Sequence, residues 1–158
     1  MIDELQSLTC WMPHDKIKRP TSKYNRPASI KDPNNWMTYD AVMKIAKPNK
    51  ITGLPQAGLV LSPMLPYVVV DADTRETAGL IINKFASRTY LELSPGMLGV
   101  HVWFHDYDHL AGKENQKGKN LELFTSEAWH YVTVTGLGND LKIADLTEED
   151  AEWIRENL

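Results

Sequence analysis

At 158 residues, with 42% hydrophobic and 24% charged residues, the chain has the length and composition of one globular domain. No apolar run approaches the roughly 18 residues a membrane span needs, the acidic start Met1-Ile2-Asp3-Glu4 is no export signal, and the lone Cys10 excludes an internal disulfide and fits a reducing cytoplasm. The net charge of −4 argues against a nucleic-acid partner, but residues 14–50 carry +6 and the rest of the chain −10, so a basic arm on an acidic body is expected to meet phosphates locally.

In chain order, residues 5–12 end in Cys10-Trp11-Met12, which reads as a strand, with Cys10 an inert core residue. A long irregular stretch to Trp36 is punctuated by Pro13, Pro20, Pro27 and Pro33. Thr38 is placed to cap a helix from about Tyr39 to Ala46 that Pro48 stops. Strands are expected near 57–62 and 66–71, then a helix over 74–86 burying Ala78, Ile81, Ile82 and Phe85. Further strands are expected near 89–93, 99–104, 120–125 and 129–135. A last helix starts at Thr147, whose hydroxyl caps it while Glu148, Glu149 and Asp150 complement its positive first turn. This order predicts an α/β two-layer domain with a mostly antiparallel sheet.

The chemistry concentrates in three places. Val68-Val69-Val70-Asp71-Ala72-Asp73 is a β-branched run ending in two carboxylates, and the strand period of two puts Asp71 and Asp73 on one face, where their oxygens suit hard divalent cations. Asn120-Leu121-Glu122-Leu123-Phe124 alternates as a half-buried strand with Glu122 on its less apolar face. Between them, Ser94-Pro95-Gly96-Met97-Leu98-Gly99-Val100-His101 is a glycine-containing turn entering a strand, which brings a hydroxyl, backbone amides and an imidazole together as a possible phosphate pocket. Taken singly, each piece has a plainer reading as a turn, a solvated face or a structural histidine. A competing set is His101, His105 and His109, whose spacing of four would suit zinc on a helix. The β-formers Val100, Val102, Trp103 and Phe104, and a loop at Asp106-Tyr107-Asp108 followed by Gly112, argue against that helix and put His105 and His109 in loops near the mouth of the site. Of Trp11, Trp36, Trp103, Trp129 and Trp153, most are expected in the core and one is available as a base-stacking platform.

The ordered set of Asp71-x-Asp73, Ser94…Gly99-x-His101 and Glu122 resembles the catalytic domain of the archaeo-eukaryotic primase superfamily, in particular phage and plasmid primase–polymerases. Arg26-Pro27-Ala28-Ser29, Asp32-Pro33-Asn34-Asn35-Trp36 and Thr38-Tyr39-Asp40-Ala41 look like the segment before that family's first helix. Gly58-Leu59-Val60-Leu61 with Tyr67 to Asp73 resembles the hairpin carrying its first motif, and Tyr131-Val132-Thr133-Val134-Thr135-Gly136 the strand after its third. The chain departs from the pattern at Gly96-Met97, where the family has Ser-Gly, and at His130, where it has arginine. Such proteins also often continue beyond this domain, so the chain is a stand-alone unit or a fragment of a longer protein.

The resemblance implies a primase–polymerase domain over 1–158 with an RRM-like sheet, a basic amino-terminal α/β subregion at 1–56 and a catalytic sheet and terminal helix at 57–158. It implies a DNA primase and DNA polymerase that holds two Mg²⁺ or Mn²⁺ ions on Asp71, Asp73 and Glu122, and binds nucleoside triphosphates through His101, Ser94, Gly96 and Gly99. Lys18, Lys23 and Arg26 are candidates for template or phosphate contact. Expected partners are a single-stranded DNA template and primer, with a replicative helicase or a missing carboxy-terminal region; the expected form is a monomer in the cytoplasm, the host's if phage-encoded, with no membrane partner. Two other readings stay open: a Mg²⁺-dependent nuclease, and a non-catalytic single-strand-binding remnant of such a domain.

Overall fold

Along the strand from Tyr67 to Ala72, side chains leave alternate faces: Val68, Val70 and Ala72 pack on one side and Tyr67 and Val69 on the other, while Asp71 ends the second series. That alternation organises the protein, described here from a computed structural model for residues 2–110 and 114–158; Gly112, assigned above to a loop, lies outside them.

The elements in order are α1 (Asp3–Gln6), β1 (Trp11–Pro13), α2 (Tyr39–Ile45), β2 (Ala57–Leu61), β3 (Tyr67–Ala72), α3 (Arg75–Phe85), β4 (Leu91–Leu93), β5 (Val100–His105), β6 (Gln116–Lys117), β7 (Glu122–Thr125), β8 (His130–Thr133), β9 (Ala144–Asp145) and α4 (Glu148–Asn157), with single 3-10 turns at Pro33–Asn35 and Ser126–Ala128. The class is mixed α/β with antiparallel sheets, as expected. One sheet runs β4-β5-β3-β7-β6, with β9 joining β5 in the lone parallel pairing among the described residues; a second runs β1-β2-β8.

Two expectations are corrected here. The segments Gly58–Leu61 and Tyr67–Asp73 do not form a hairpin: β2 pairs with β1 and β8, and β3 with β5 and β7. The domain also has three layers rather than two. α3 and α4 cover one face of the larger sheet, burying Ile81, Phe85 and Ile154 against Val68, Val70, Val102 and Leu123. The smaller sheet and α2 cover the other face, where Trp11, Leu59, Val42 and Val132 pack with Val69 and Trp103. Fully burying such a side chain stabilises by about 1.5–3 kcal/mol relative to exposure. β1 precedes residue 57 and pairs with β2, which follows it, so the basic amino-terminal subregion is woven into the smaller sheet.

Local signals explain most boundaries. Thr38, Thr74 and Thr147 cap α2, α3 and α4, the last two as reciprocal capping boxes with Thr77 and Asp150. Asp150 also takes two hydrogen bonds from Arg88, tying α4 to the end of α3. Within α3, Ala78, Ile81 and Phe85 are buried as expected, but Ile82 is 40% exposed because only one narrow stripe of the helix meets the sheet. Cys10 is buried, and burial pushes its thiol up to about 11, well away from a reactive thiolate.

Candidate active-site cleft

Strand register, rather than any single motif, assembles the site. Asp71 on β3 lies opposite His101 on β5 and opposite Glu122 on β7; His101 in turn lies opposite Glu92 on β4, and Glu122 opposite Lys117 on β6. Directly opposed residues share a face. One rung of the sheet therefore reads Glu92, His101, Asp71, Glu122, Lys117, on the face that elsewhere holds the apolar rung Val69, Trp103, Phe124. Asp73 follows two residues after Asp71, exposed just beyond the strand end.

The rung borders a cleft of about 320 Å³ between the two sheets, lined by Asp71, Asp73, His101, Lys117, Glu122, Phe124 and His130, by Tyr131–Thr133 of β8 and by Lys18. Lys18 reaches it from a turn that Asp15 organises: the Asp15 carboxylate accepts from the Ile17 and Arg19 amides and pairs with the Arg19 guanidinium, and Lys18 takes left-handed backbone at φ 65°.

The electrostatics are frustrated at the centre. Burial is the main cause raising the Asp71 carboxyl above the usual carboxylate range; the charges of Asp73 and Glu122 add to it and His101 opposes it. Its Oδ1 is buried without a hydrogen-bond partner, 3.5 Å from His101 Nε2. His101 is almost wholly buried; burial works against its charged form, but Glu92 and Asp71 outweigh burial and leave its pKa raised. Its Nδ1 stands 3.7 Å from Glu92 Oε1, beyond hydrogen-bond reach. Glu92, with no exposed surface, is satisfied by the Tyr90 hydroxyl at 2.9 Å and the Gly136 and Thr135 amides at 2.8 and 3.3 Å. Glu122 is ion-paired with Lys117. His130 stacks on Phe124, ring centroids 3.7 Å apart and planes 10° from parallel, and burial brings its pKa down to about 4.

Among the described residues, no group of three or more His, Cys, Asp or Glu side chains stands close enough together to hold a metal ion. The donor chemistry nevertheless fits a hard divalent cation: Asp71, Asp73 and Glu122 offer only oxygens, the charges of Asp73 and Glu122 disfavour the ionised form of Asp71, and the Asp71 Oδ1 is buried without a partner of the kind such an ion supplies. Lys117 takes the position of positive charge beside Glu122.

The expected nucleotide-binding turn is placed differently from the carboxylates. Ser94, Gly96 and Gly99 do not line the cleft. Residues 94–99 close the β4–β5 hairpin, with the Ser94 amide donating to the Gly99 carbonyl and the Gly99 amide to the Ser94 hydroxyl. A Cβ on Gly99 would sit 2.0 Å from the Ala72 carbonyl oxygen, so this glycine lets the hairpin close against the backbone leading into Asp73. Gly96 is exposed at the tip. Lys23 lies away from the cleft, its ammonium 5.1 Å from the Tyr24 ring centre, and Arg26 is exposed.

The histidine triple is not a zinc site. On an extended strand, residues four apart stand roughly 13 Å apart, and each imidazole has its own acid: His105 pairs with Glu4 and Asp145, and His109 with Glu148. His105 is the last residue of β5, at the end away from Asp71, and is not a loop residue at the mouth of the site. Trp11 and Trp103 are fully buried, and Trp153 packs edge-on against Phe85. Trp36 and Trp129 are half-buried with ring centres 6.2 Å apart.

Sequence reasoning missed Glu92 and Lys117. Glu92 sits in Leu91-Glu92-Leu93, the same apolar–acid–apolar alternation that singled out Glu122, and that signal was there to be read. Lys117 belongs to a two-residue strand too short to leave a periodic signature. No known family's sequence pattern and no curated protein matches this chain.

Proposed function

We propose that the protein is a template-directed nucleotidyltransferase, a DNA primase and polymerase joining nucleoside triphosphates in phage or plasmid replication. The observation that carries this reading is the rung that sets Asp71 and Glu122 side by side, with His101 beside Asp71, in one cleft that also holds Asp73, Lys18 and Lys117. Phosphoryl transfer asks a protein mainly for positioning and charge compensation. Asp71, Asp73 and Glu122 would hold two Mg²⁺ or Mn²⁺ ions, which supply activation of the attacking 3′-hydroxyl and neutralisation of the triphosphate.

The chain's own side chains do the rest. Lys18 and Lys117 place ammonium groups in the cleft for an anionic triphosphate. His101 presents its Nε2 edge beside Asp71, where it serves as a donor to the incoming phosphates. His130, neutral at physiological pH and stacked on Phe124, forms a flat wall against which a base or sugar can lie. The basic segment 14–50 favours a single-stranded template, with Lys23 and Arg26 on its surface.

Extension of a labelled primer on a single-stranded template, with Mn²⁺ or Mg²⁺ and all four deoxynucleotides, tests the reading. Extension by the wild type that Asp71→Asn abolishes is the expected result; extension retained by Asp71→Asn overturns it. The pairing of Glu122 with Lys117 favours a second reading, a strand-binding module without catalysis, and among the described residues no three metal donors converge. That reading expects salt-sensitive binding of single strands, indifferent to Mn²⁺, and no extension.

A further inference from the structure

We propose that Glu92 is a positioning residue of the cleft, acting on the reaction only through His101; this rests on the nucleotidyltransferase reading above. Because Leu91 and Leu93 face the helix layer, Glu92 is the one β4 side chain on the cleft face. It is completely buried, and a buried carboxylate is costly to keep unless something uses it. Its hydrogen bonds account for a structural part: the Tyr90 hydroxyl and the Thr135 and Gly136 amides need an acceptor. The donors are divided between the two carboxylate oxygens, Tyr90 and Gly136 on Oε2 and Thr135 on Oε1, so an amide in this place would keep an acceptor for one side and turn an NH₂ group toward the other.

The carboxylate also faces the cleft histidine. Glu92 Oε1 faces His101 Nδ1 at 3.7 Å, and that nitrogen has no hydrogen-bond partner. The imidazole is flanked on its other edge by Asp71 Oδ1 at 3.5 Å. With an acid on each side, the ring is held edge-on along the rung, one nitrogen toward the interior and the other toward the carboxylates of the cleft. Without Glu92 the inner edge has no reason to stay inward, and the ring is free to turn. Residues behind a reacting group commonly contribute ten- to a hundredfold through such orientation.

The test is a double-mutant cycle on the full chain: wild type, Glu92→Gln, His101→Gln and the double variant. Each is measured for primer-extension kcat and KM, for deoxynucleoside triphosphate binding in the presence of Mn²⁺, and for thermal melting. Glu92→Gln is expected to fold but to melt below the wild type, because one buried donor loses its acceptor, and to lower kcat/KM about tenfold or more, with matching weakening of nucleotide binding. In the His101→Gln background the same change is expected to alter nucleotide binding less than twofold, because the residue it acts through is gone. Equal losses in both backgrounds would make Glu92 a purely structural acceptor and overturn the inference while the proposed function stands. A wild type that neither extends nor binds nucleotide overturns the function and this inference together. Should Glu92→Gln fail to fold, Tyr90→Phe, which removes one donor to the carboxylate and leaves the charge, takes its place in the cycle with a smaller expected loss and the same coupling to His101.

Discussion

His101 and His105 stand on the same face of the same strand, four residues apart, and their surroundings are opposite. At one end of β5, His101 lies between two carboxylates with neither within hydrogen-bond reach, beside the orphaned Asp71 Oδ1. At the other, His105 Nε2 meets Glu4 Oε1 at 2.5 Å, the same oxygen accepts from the Tyr67 hydroxyl at 2.7 Å, and Nδ1 lies 3.3 Å from Asp145. The satisfied cluster pins α1 and β9 to the sheet. The other leaves Asp71 Oδ1 and His101 Nδ1 buried without a partner, which costs stability where the first cluster adds it.

The largest effect is expected at Asp71. Asp71→Asn should lower primer extension on the order of 10³-fold or more, while thermal melting shows no loss, since the amide relieves repulsion from Asp73 and Glu122. Melting at clearly lower temperature would mean that Asp71 is a structural acid and that the two ends of β5 differ less than claimed.

Next comes the pair of histidines themselves. His101→Ala should cost roughly 10²-fold in extension through weakened nucleotide binding. His105→Ala should leave kcat/KM within about twofold and instead cost about 1.5–3 kcal/mol of stability, the worth of a charge-assisted hydrogen bond. Urea denaturation and steady-state kinetics on both variants read the split. A catalytic loss in His105→Ala matching that of His101→Ala would erase it.

A third effect is thermodynamic. Mn²⁺ at a hundred times its dissociation constant should stabilise the wild type by about 2.7 kcal/mol, or some 5–10 °C in melting temperature for a domain of this size. Asp71→Asn should show no such shift, and Lys117→Met should respond at lower Mn²⁺, because Glu122 no longer has to leave an ion pair. Equal shifts in wild type and Asp71→Asn would place the ion elsewhere.

How much of this was legible beforehand depends on which interactions set each feature. The alternation in Val68–Asp73 and the Thr38 and Thr147 caps are local, and they read correctly from residue types alone. The meeting of Glu92, His101, Asp71, Glu122 and Lys117 is a matter of register between five strands. It is set by where the 94–99 turn closes and by which strands pair, and neither has a local signature. The parting of β2 and β3 into separate sheets escaped for the same reason: adjacency in sequence suggested a hairpin, but Leu59 finds its partners in Trp11 and Val132. The resemblance implies that Gly99 cradles phosphate, whereas what requires a glycine here is the close approach to the Ala72 carbonyl, which no sequence motif records.

A third imidazole extends the contrast, with the smallest expected effect. His130 is stacked on Phe124, and burial holds its pKa at about 4 against an ordinary value of 6.5, so the folded protein keeps it neutral in a range where the unfolded chain takes up a proton. The unfolded state binds more protons in that window, so this group costs stability as pH falls from about 6.5 toward 4, by at most about 1.4 kcal/mol per pH unit. Asp71 and His101, whose pKa values are raised, work in the opposite sense, their folded forms holding protons to higher pH than the unfolded chain does. His130→Phe keeps a ring on Phe124 and removes the titration. Urea denaturation at pH 7 and pH 5 should then show the wild type losing stability relative to the variant on acidification. Parallel behaviour of the two proteins would mean that the imidazole is solvated rather than stacked, and would remove the flat wall assigned to the cleft.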